Sequence, residues 1–185
     1  MIGDTLAEAG QKMDSAVRHT RAEIAKIRTG RANPGLITDL TVPYYGTQTP
    51  LQQLAGVTAP EPRMLVVSPY DRSALKEIER TIQASDLGLN PSNDGEVIRI
   101  VFPELTQERR RQFVRLTKER AEEGRTAIRN VRRHAKSEID RLTRDGEVPE
   151  DEARRADKAL QELTDTHIHS IDQLVATKEK ELLEV

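Results

Sequence analysis

Apolar residues recur along the first segment at steps of three and four: Leu6, Ala9, Met13, Ala16, Thr20, Ile24 and Ile27. That spacing lays one narrow stripe along about 25 residues of amphipathic helix. The stretch RTGRANPG, Arg28 to Gly35, ends it. Gly30 suits the left-handed conformation past a helix end, and Asn33-Pro34 cannot continue a helix.

The pattern then changes in kind. LITDLTV (Leu36 to Val42) and MLVVSPY (Met64 to Tyr70) are rich in β-branched and apolar residues, and Gly46, Pro50, Gly56, Pro60 and Pro62 punctuate them. Both stretches predict strands. DRSALKEIERTIQASDLG predicts a short helix: Asp71 or Ser73 caps it, Leu75, Ile78 and Ile82 form its buried face, and Gly88 lies past its end. GLNPSNDGEVIRIVFP reads as two short strands around Asp94-Gly95. Pro103 closes the region.

Helical periodicity returns at Thr106, a suitable N-cap, with Gln107 and Glu108 in the first turn, and runs to about Arg144. Such a helix is roughly 60 Å long at about 1.5 Å per residue. Asp145-Gly146 breaks it. Pro149 suits the start of a third helix, and Glu150, Asp151 and Glu152 complement its dipole. Ala153, Ala156, Leu160, Leu163, His167, Ile171 and Leu174 carry its stripe.

Two long helices joined by a tight turn pack antiparallel, and the stripe of the first helix needs the same partners. The expected fold class is therefore α+β: a long antiparallel three-helix bundle from residues 1–30 and 104–185, with a small β/α domain of residues 31–103 inserted between its first two helices. The insertion is tied in by two crossings that contain Gly or Pro, so a hinge is expected at Gly30, Arg31, Pro34 and Pro103.

Composition narrows the core. Hydrophobic residues make up 36% and aromatics 3%, with no Trp and no Cys. The core must be thin and built from Leu, Ile, Val and Ala. Disulfides, thiolate zinc sites and Cys nucleophiles are excluded. No apolar run approaches a membrane span, and MIGDTLAEAGQKMD has neither a signal-peptide core nor the Arg-rich character of a transit peptide. The expectation is a soluble cytoplasmic protein whose first residues belong to the fold.

Charge adds the feature that points toward function. The chain carries a formal net charge of -2, yet Leu105 to Asp145 holds 13 Lys/Arg against 7 Asp/Glu, a net of +6. On a helical wheel Arg111, Arg115, Lys118, Arg125, Arg129, Arg132, Arg133 and Lys136 share an arc of roughly 100°, beside the apolar arc of Gly124, Ile128, Val131, Ala135, Ile139 and Leu142. Gly124 to Ser137 contains no acid at all. A solvated helix usually interleaves acids one turn away. Arg also outnumbers Lys here, and its planar fork matches phosphate. With no aromatics on this face for base stacking, the stripe predicts phosphate and shape recognition of folded RNA or duplex nucleic acid.

Other candidates for chemistry are weak. His167 and His169 point about 200° apart on a helix, so they do not form a metal pair. NPSNDG departs from a calcium loop, because Val101 stands where the closing acid belongs. There is no P-loop, no G-x-G-x-x-G and no G-x-S-x-G. No enzyme, cofactor, metal or small-molecule substrate is expected.

Several long stretches in register, IRTGRANP, YYGTQTPLQQLA, SDLGLNPSNDGEVIRI, PELTQERRR and IRNVRRHAKSEID, resemble the bacterial ribosome recycling factor family over essentially the whole chain. The resemblance implies an L-shaped, tRNA-like arrangement. It also implies a factor that binds the post-termination ribosome and, with elongation factor G and GTP, splits it into subunits. The implied partners are the large subunit with its 23S rRNA and elongation factor G, met by a monomer with no membrane attachment. RNVRR supplies Arg129, Arg132 and Arg133 as rRNA-binding residues, ERRR supplies Arg109, Arg110 and Arg111, and Lys136 completes the set. Arg110 rests on the motif, since it falls near the apolar arc. Gln107 and Pro43 depart from the family, where acids are usual. The competing reading is a non-ribosomal helical bundle whose basic face meets an acidic protein.

Overall fold

The computed structural model describes residues 1–184, which form two compact units, Met1–Thr29 with Gln107–Glu184 and Gly30–Thr106.

The first unit holds α1 (Ile2–Ala25), α4 (Gln107–Arg144) and α5 (Glu150–Leu183), each packed against both of the others. Its core is the thin aliphatic seam the composition requires: Met13, Ala121, Ile128, Ile139 and Ile171 are fully buried. Thr20, Thr117 and Thr164 are buried with them, one per helix. Each hydroxyl donates to the carbonyl four residues back, at 2.9 Å to Ala16, 2.8 Å to Phe113 and 2.7 Å to Leu160. A helix can hide a hydroxyl in this way without an outside partner.

The turn between α4 and α5 is a Schellman cap. Gly146 takes φ 72°, its N–H donates to Thr143 O at 3.1 Å, and Glu147 N–H donates to Leu142 O at 3.0 Å. The left-handed residue is a glycine for the usual steric reason. Val148 is buried just beyond it, and three acids open α5.

The second unit contains β1 (Thr41–Tyr44), β2 (Thr47–Pro50), α2 (Leu51–Leu54), β3 (Ala55–Glu61), β4 (Met64–Pro69), α3 (Leu75–Ala84), β5 (Pro91–Asn93) and β6 (Ile98–Val101). β1 and β2 form a two-stranded ribbon. The other strands form an antiparallel sheet in the order β3-β4-β6-β5. Ile78 and Ile82 of α3 pack with Leu65, Val67, Ile98 and Ile100 in one core, alongside Ile37, Val42 and Leu51. Asp71 caps the turn before α3 by accepting from Ser73 N–H at 2.9 Å, and Asp94-Gly95 turns β5 into β6 as the sequence indicated.

The strand expected over Leu36–Val42 is corrected: its first half is a 3-10 turn and β1 begins only at Thr41. The cause is local. Asn33 Oδ1 accepts from Gly35 N–H at 2.9 Å, Pro34 fixes the first dihedral, and Pro34 O then takes the N–H groups of Ile37 and Thr38. β-branched composition at Ile37 and Thr38 is overridden by that cap. The ribbon turn Tyr45-Gly46 and strand β3 were not anticipated. β3 is an edge strand containing Pro60, so its pattern lacks a clear alternation.

Gly124 marks the closest approach in the bundle. A Cβ there would collide with Thr20 Oγ1 and lie 2.9 Å from Ile171 Cδ1. Gly124→Ala should therefore destabilise the chain by about 1–3 kcal/mol through overpacking, although Ala alone favours helix by about 1 kcal/mol. Urea denaturation should show the loss, and Gly124→Ala with Thr20→Ala should cost less than the sum of the two single changes.

Asp94 accepts from the N–H groups of Glu96 and Val97, both at 2.9 Å, and from Arg99. These bonds, the backbone ones foremost, hold its carboxyl well below the ordinary carboxylate range. A carboxylate with a depressed folded pKa stabilises fully above its unfolded value of about 4, and that contribution is lost as pH falls below it. Asp94→Asn should flatten the decline in stability between about pH 4 and pH 2, measured by urea midpoints across pH.

Candidate nucleic-acid interface

The cations of α4 fall on an outward face, but they are not equivalent. Arg125 is held on both sides. Its Nη2 and Nε donate to Asp172 Oδ1 of α5 at 2.6 and 3.0 Å, and its Nη1 donates to Glu122 at 3.2 Å. Burial works against its charge, yet the hydrogen bonds to Asp172 and Glu122 prevail and its pKa lies above the ordinary value. Arg129 pairs with the other oxygen of Glu122. That carboxyl is held low by its bonds from Arg129 and Arg125. Lys136 Nζ donates to Asp140 and to Asp157 of α5, both at 2.7 Å, and these bonds raise its pKa. Lys118 Nζ sits 3.2 Å from Glu179 Oε1, which nevertheless has no hydrogen bond of good geometry.

Acids outside the run therefore serve it. The acid-free run Gly124 to Ser137 is thus not a row of unpaired cations, because Glu122, Asp140 and two α5 carboxylates pair with Arg125, Arg129 and Lys136. Glu122 and Asp140 flank the run on α4 itself. Asp157 and Asp172 come from another helix, and only packing brings them across.

Arg132 and Arg133 remain. Both are exposed, and neither has a hydrogen bond or ion pair among the described residues. Two adjacent exposed guanidiniums, unpaired in this way, form an anion-facing point on the helix. Arg111 is also exposed, near the N-terminal end of α4. Arg110 differs: it is half-buried, and its Nε is shielded from solvent without a partner. A shallow depression lined by Arg133, Lys136, Ser137, Asp140, Thr143 and Arg144 continues the face toward the C-terminal end of α4.

Of the residues expected at a hinge, Gly30 takes the expected left-handed conformation, φ 78°, but not as a helix cap: α1 ends at Ala25 with Lys26 as a right-handed cap. Arg31 and Pro103 are exposed, and Pro34 opens the 3-10 turn described above. His167 is a packing residue: its Nε2 lies 2.9 Å from Asp14 Oδ1 and its Nδ1 lies 2.6 Å from Leu163 O.

The architecture defines a class first: a bundle of long helices interrupted by a small sheet unit, with one cation-lined helix. Comparison with known proteins resolves it further. Residues 20–183 match the family described as ribosome recycling factor. The chain is 56% identical to the ribosome-recycling factor of Beutenbergia cavernae and 54% identical to that of Acidothermus cellulolyticus, each over 100% of both chains. A solution structure of a ribosome recycling factor superposes with a TM-score of 0.83 at 42% identity, covering 100% of this chain and 98% of that one. A second structure shows the T. thermophilus ribosome recycling factor and E. coli elongation factor G bound to the E. coli post-termination complex. It matches with a TM-score of 0.67 at 46% identity, covering 99% of each chain. The chain belongs to the ribosome recycling factor family, whose members are translation factors and not enzymes.

The two kinds of cation should separate on substitution. Lys136→Ala breaks two ion pairs, one of them between helices, and should lower stability by about 0.5–1 kcal/mol, a small value because the site is half open to solvent. Arg132→Ala breaks none and should leave the thermal midpoint within error. Thermal melts of the two variants at low and high salt check this, and the Lys136 effect should shrink in salt.

Proposed function

We propose that the chain binds the post-termination ribosome and, together with elongation factor G and GTP, drives its disassembly into subunits and the release of mRNA. The observation that carries this reading is full-length kinship: more than half the residues are shared with named ribosome-recycling factors, from the first residue to the last. The charge arrangement supports the finer part. Helix α4 faces the 23S rRNA of the large subunit, with Arg132 and Arg133 as principal phosphate contacts and Arg111, Arg129 and Lys136 flanking them. Arg110 acts mainly as a half-buried support at the N-terminal end of α4. Gly30, Arg31, Pro34 and Pro103 form the joint between the bundle and the sheet unit, and the sheet unit is the side on which elongation factor G acts. The work is mechanical. The bundle anchors on RNA, the partner hydrolyses GTP, and no covalent step occurs on this chain.

Arg132 and Arg133 suit phosphate for a physical reason. A guanidinium already paired with a carboxylate must give up that bond to take a phosphate. An unpaired one loses only water, and gains two parallel charge-assisted hydrogen bonds. Arg125 and Lys136 are tied to α5, Arg129 is tied to Glu122 of its own helix, and the three add a weaker, longer-range field.

Binding to large subunits across a salt series tests the anchor. Each phosphate contact removed should flatten the plot of log affinity against log salt by roughly 0.7–0.9. Arg132→Ala should weaken binding and flatten the slope. Arg132→Lys should restore the slope but only part of the affinity, since an ammonium cannot make the two-pronged contact. Arg154→Ala on α5 is the control and should change neither. An Arg132→Ala slope and affinity equal to those of the parent chain would remove the anchor role. A parent chain that fails to split ribosomes with elongation factor G and GTP would remove the function.

A further inference from the structure

The chain has only three tyrosines, and the fold brings all three to one end of the sheet unit. Tyr44 closes β1 and donates its hydroxyl to Asp71 Oδ2 at 2.7 Å. Tyr45 follows in the turn, its ring set edge-on to that of Tyr44 with centroids 4.6 Å apart. Tyr70 directly precedes Asp71, and its hydroxyl lies over Gly56, 4.0 Å from where a Cβ would stand. Tyr44 is partly buried and acts as the anchor. Tyr45 and Tyr70 are 81% and 75% exposed, more than any other large apolar side chain among the described residues.

The turn that presents Tyr45 is an unfavourable place for it. Tyr44 and Thr47 pair across the ribbon, and the two central residues have φ 46° at Tyr45 and 78° at Gly46. Positive φ at both positions defines a type I′ turn, where Asn, Asp or Gly normally stands first. Tyr45 is the only non-glycine residue with positive φ among the described residues. Beyond its edge-on contact with Tyr44, the solvent-facing ring gives folding little in return for that conformation. Backbone strain that the contacts of the fold explain only in part is a pointer to function.

Exposed, rigidly held tyrosines serve two kinds of partner. They stack on RNA bases, or they fill pockets at the centre of protein interfaces. Charge decides between these. Gly30 to Thr106 holds 6 Lys/Arg and 9 Asp/Glu, a net of −3. Asp71 stands within the cluster, and the nearest cation in sequence, Arg72, is engaged by Glu96 at 2.9 Å. An acidic surface repels a phosphate backbone and attracts a protein surface rich in Lys and Arg.

We propose that the Tyr45–Tyr70 tip is a protein-docking surface, fitting a partner that offers an apolar pocket with a basic rim. This rests on the reading of the sheet unit as the elongation-factor side, and it names the residues through which that unit is gripped. Tyr44 and Asp71 hold the tip in shape and are positioning residues.

The test uses the full chain, post-termination ribosomes, and purified elongation factor G with GTP. The variants are Tyr45→Asn, which suits the turn but removes the ring, Tyr70→Ala, and the two combined. Ribosome binding without elongation factor G, including its salt slope, should be unchanged. Subunit splitting at limiting elongation factor G should fall about tenfold in the double variant, the scale of a truncated interface anchor. Excess elongation factor G should restore much of the rate. Tyr45→Asn should melt at or above the parent temperature, which separates loss of contact from loss of fold. Parent-like splitting by the double variant would overturn the proposal. So would weakened ribosome binding in the absence of elongation factor G, which would assign the rings to RNA. A parent chain that does not split ribosomes at all would overturn the functional reading, and this proposal with it.

Discussion

Helix α4 has to bury one face and keep the adjacent face cationic, and the rest of the bundle is arranged around that requirement. The two faces meet at an edge with no polar buffer between them. Cations placed so close to an apolar seam would lose hydration and repel one another. The carboxylates of α5, Asp157 and Asp172, cross the helix interface to meet Lys136 and Arg125 at that edge. The pairs do two things together. They let the charged edge sit against α5, and within Gly124 to Ser137 they leave Arg132 and Arg133 as the cations with no partner among the described residues. Exposed pairs of this kind add little to stability. Their more important effect is selective, since they decide which charges stay available to an outside anion.

The same economy appears in the core. With almost no aromatic residues, the bundle cannot fill wide gaps, so its helices must come close. Gly124 lets α4 approach Thr20 of α1 and Ile171 of α5 where any side chain would intrude. Thr20, Thr117 and Thr164 are small enough for such a seam and satisfy their own hydroxyls within the helix. A thin, closely packed seam suits long helices, which display a long outward face for few buried residues.

Much of this could be read from the residue pattern. The helical stripes, the Gly146 cap, the Asp94-Gly95 turn and the apolar face of α3 follow local rules: periodicity, glycine at positive φ, and short polar caps. The failures are also local in origin but need a third dimension to see. Leu36–Thr38 carry strand-like residues, yet Asn33 and Pro34 impose a 3-10 turn before those preferences can act. The Tyr45-Gly46 turn lacks the Asn or Asp that normally marks a type I′ turn. At the cationic face, the residues were readable and their inequality was not. Nothing in GRTAIRNVRRHAKS distinguishes Arg129 from Arg132, because the acids that distinguish them lie on the turn before the run, the turn after it, and another helix.

The division of charge between the units gives the two surfaces different physics. In the proposed reading, the cationic face of α4 would meet a polyanion through a long-range field, and such binding is fast, salt-sensitive and tolerant of small misalignment. The proposed tyrosine tip would offer little net attraction at distance and would act only on contact, through rings desolvated by the partner. Its strength depends on preorganisation, since a ring already fixed by Tyr44 and the type I′ backbone loses little entropy on docking. If both proposals hold, salt or RNA competition that loosens the first surface would leave the second nearly untouched, and a partner gripping the second would not compete for phosphates bound by the first.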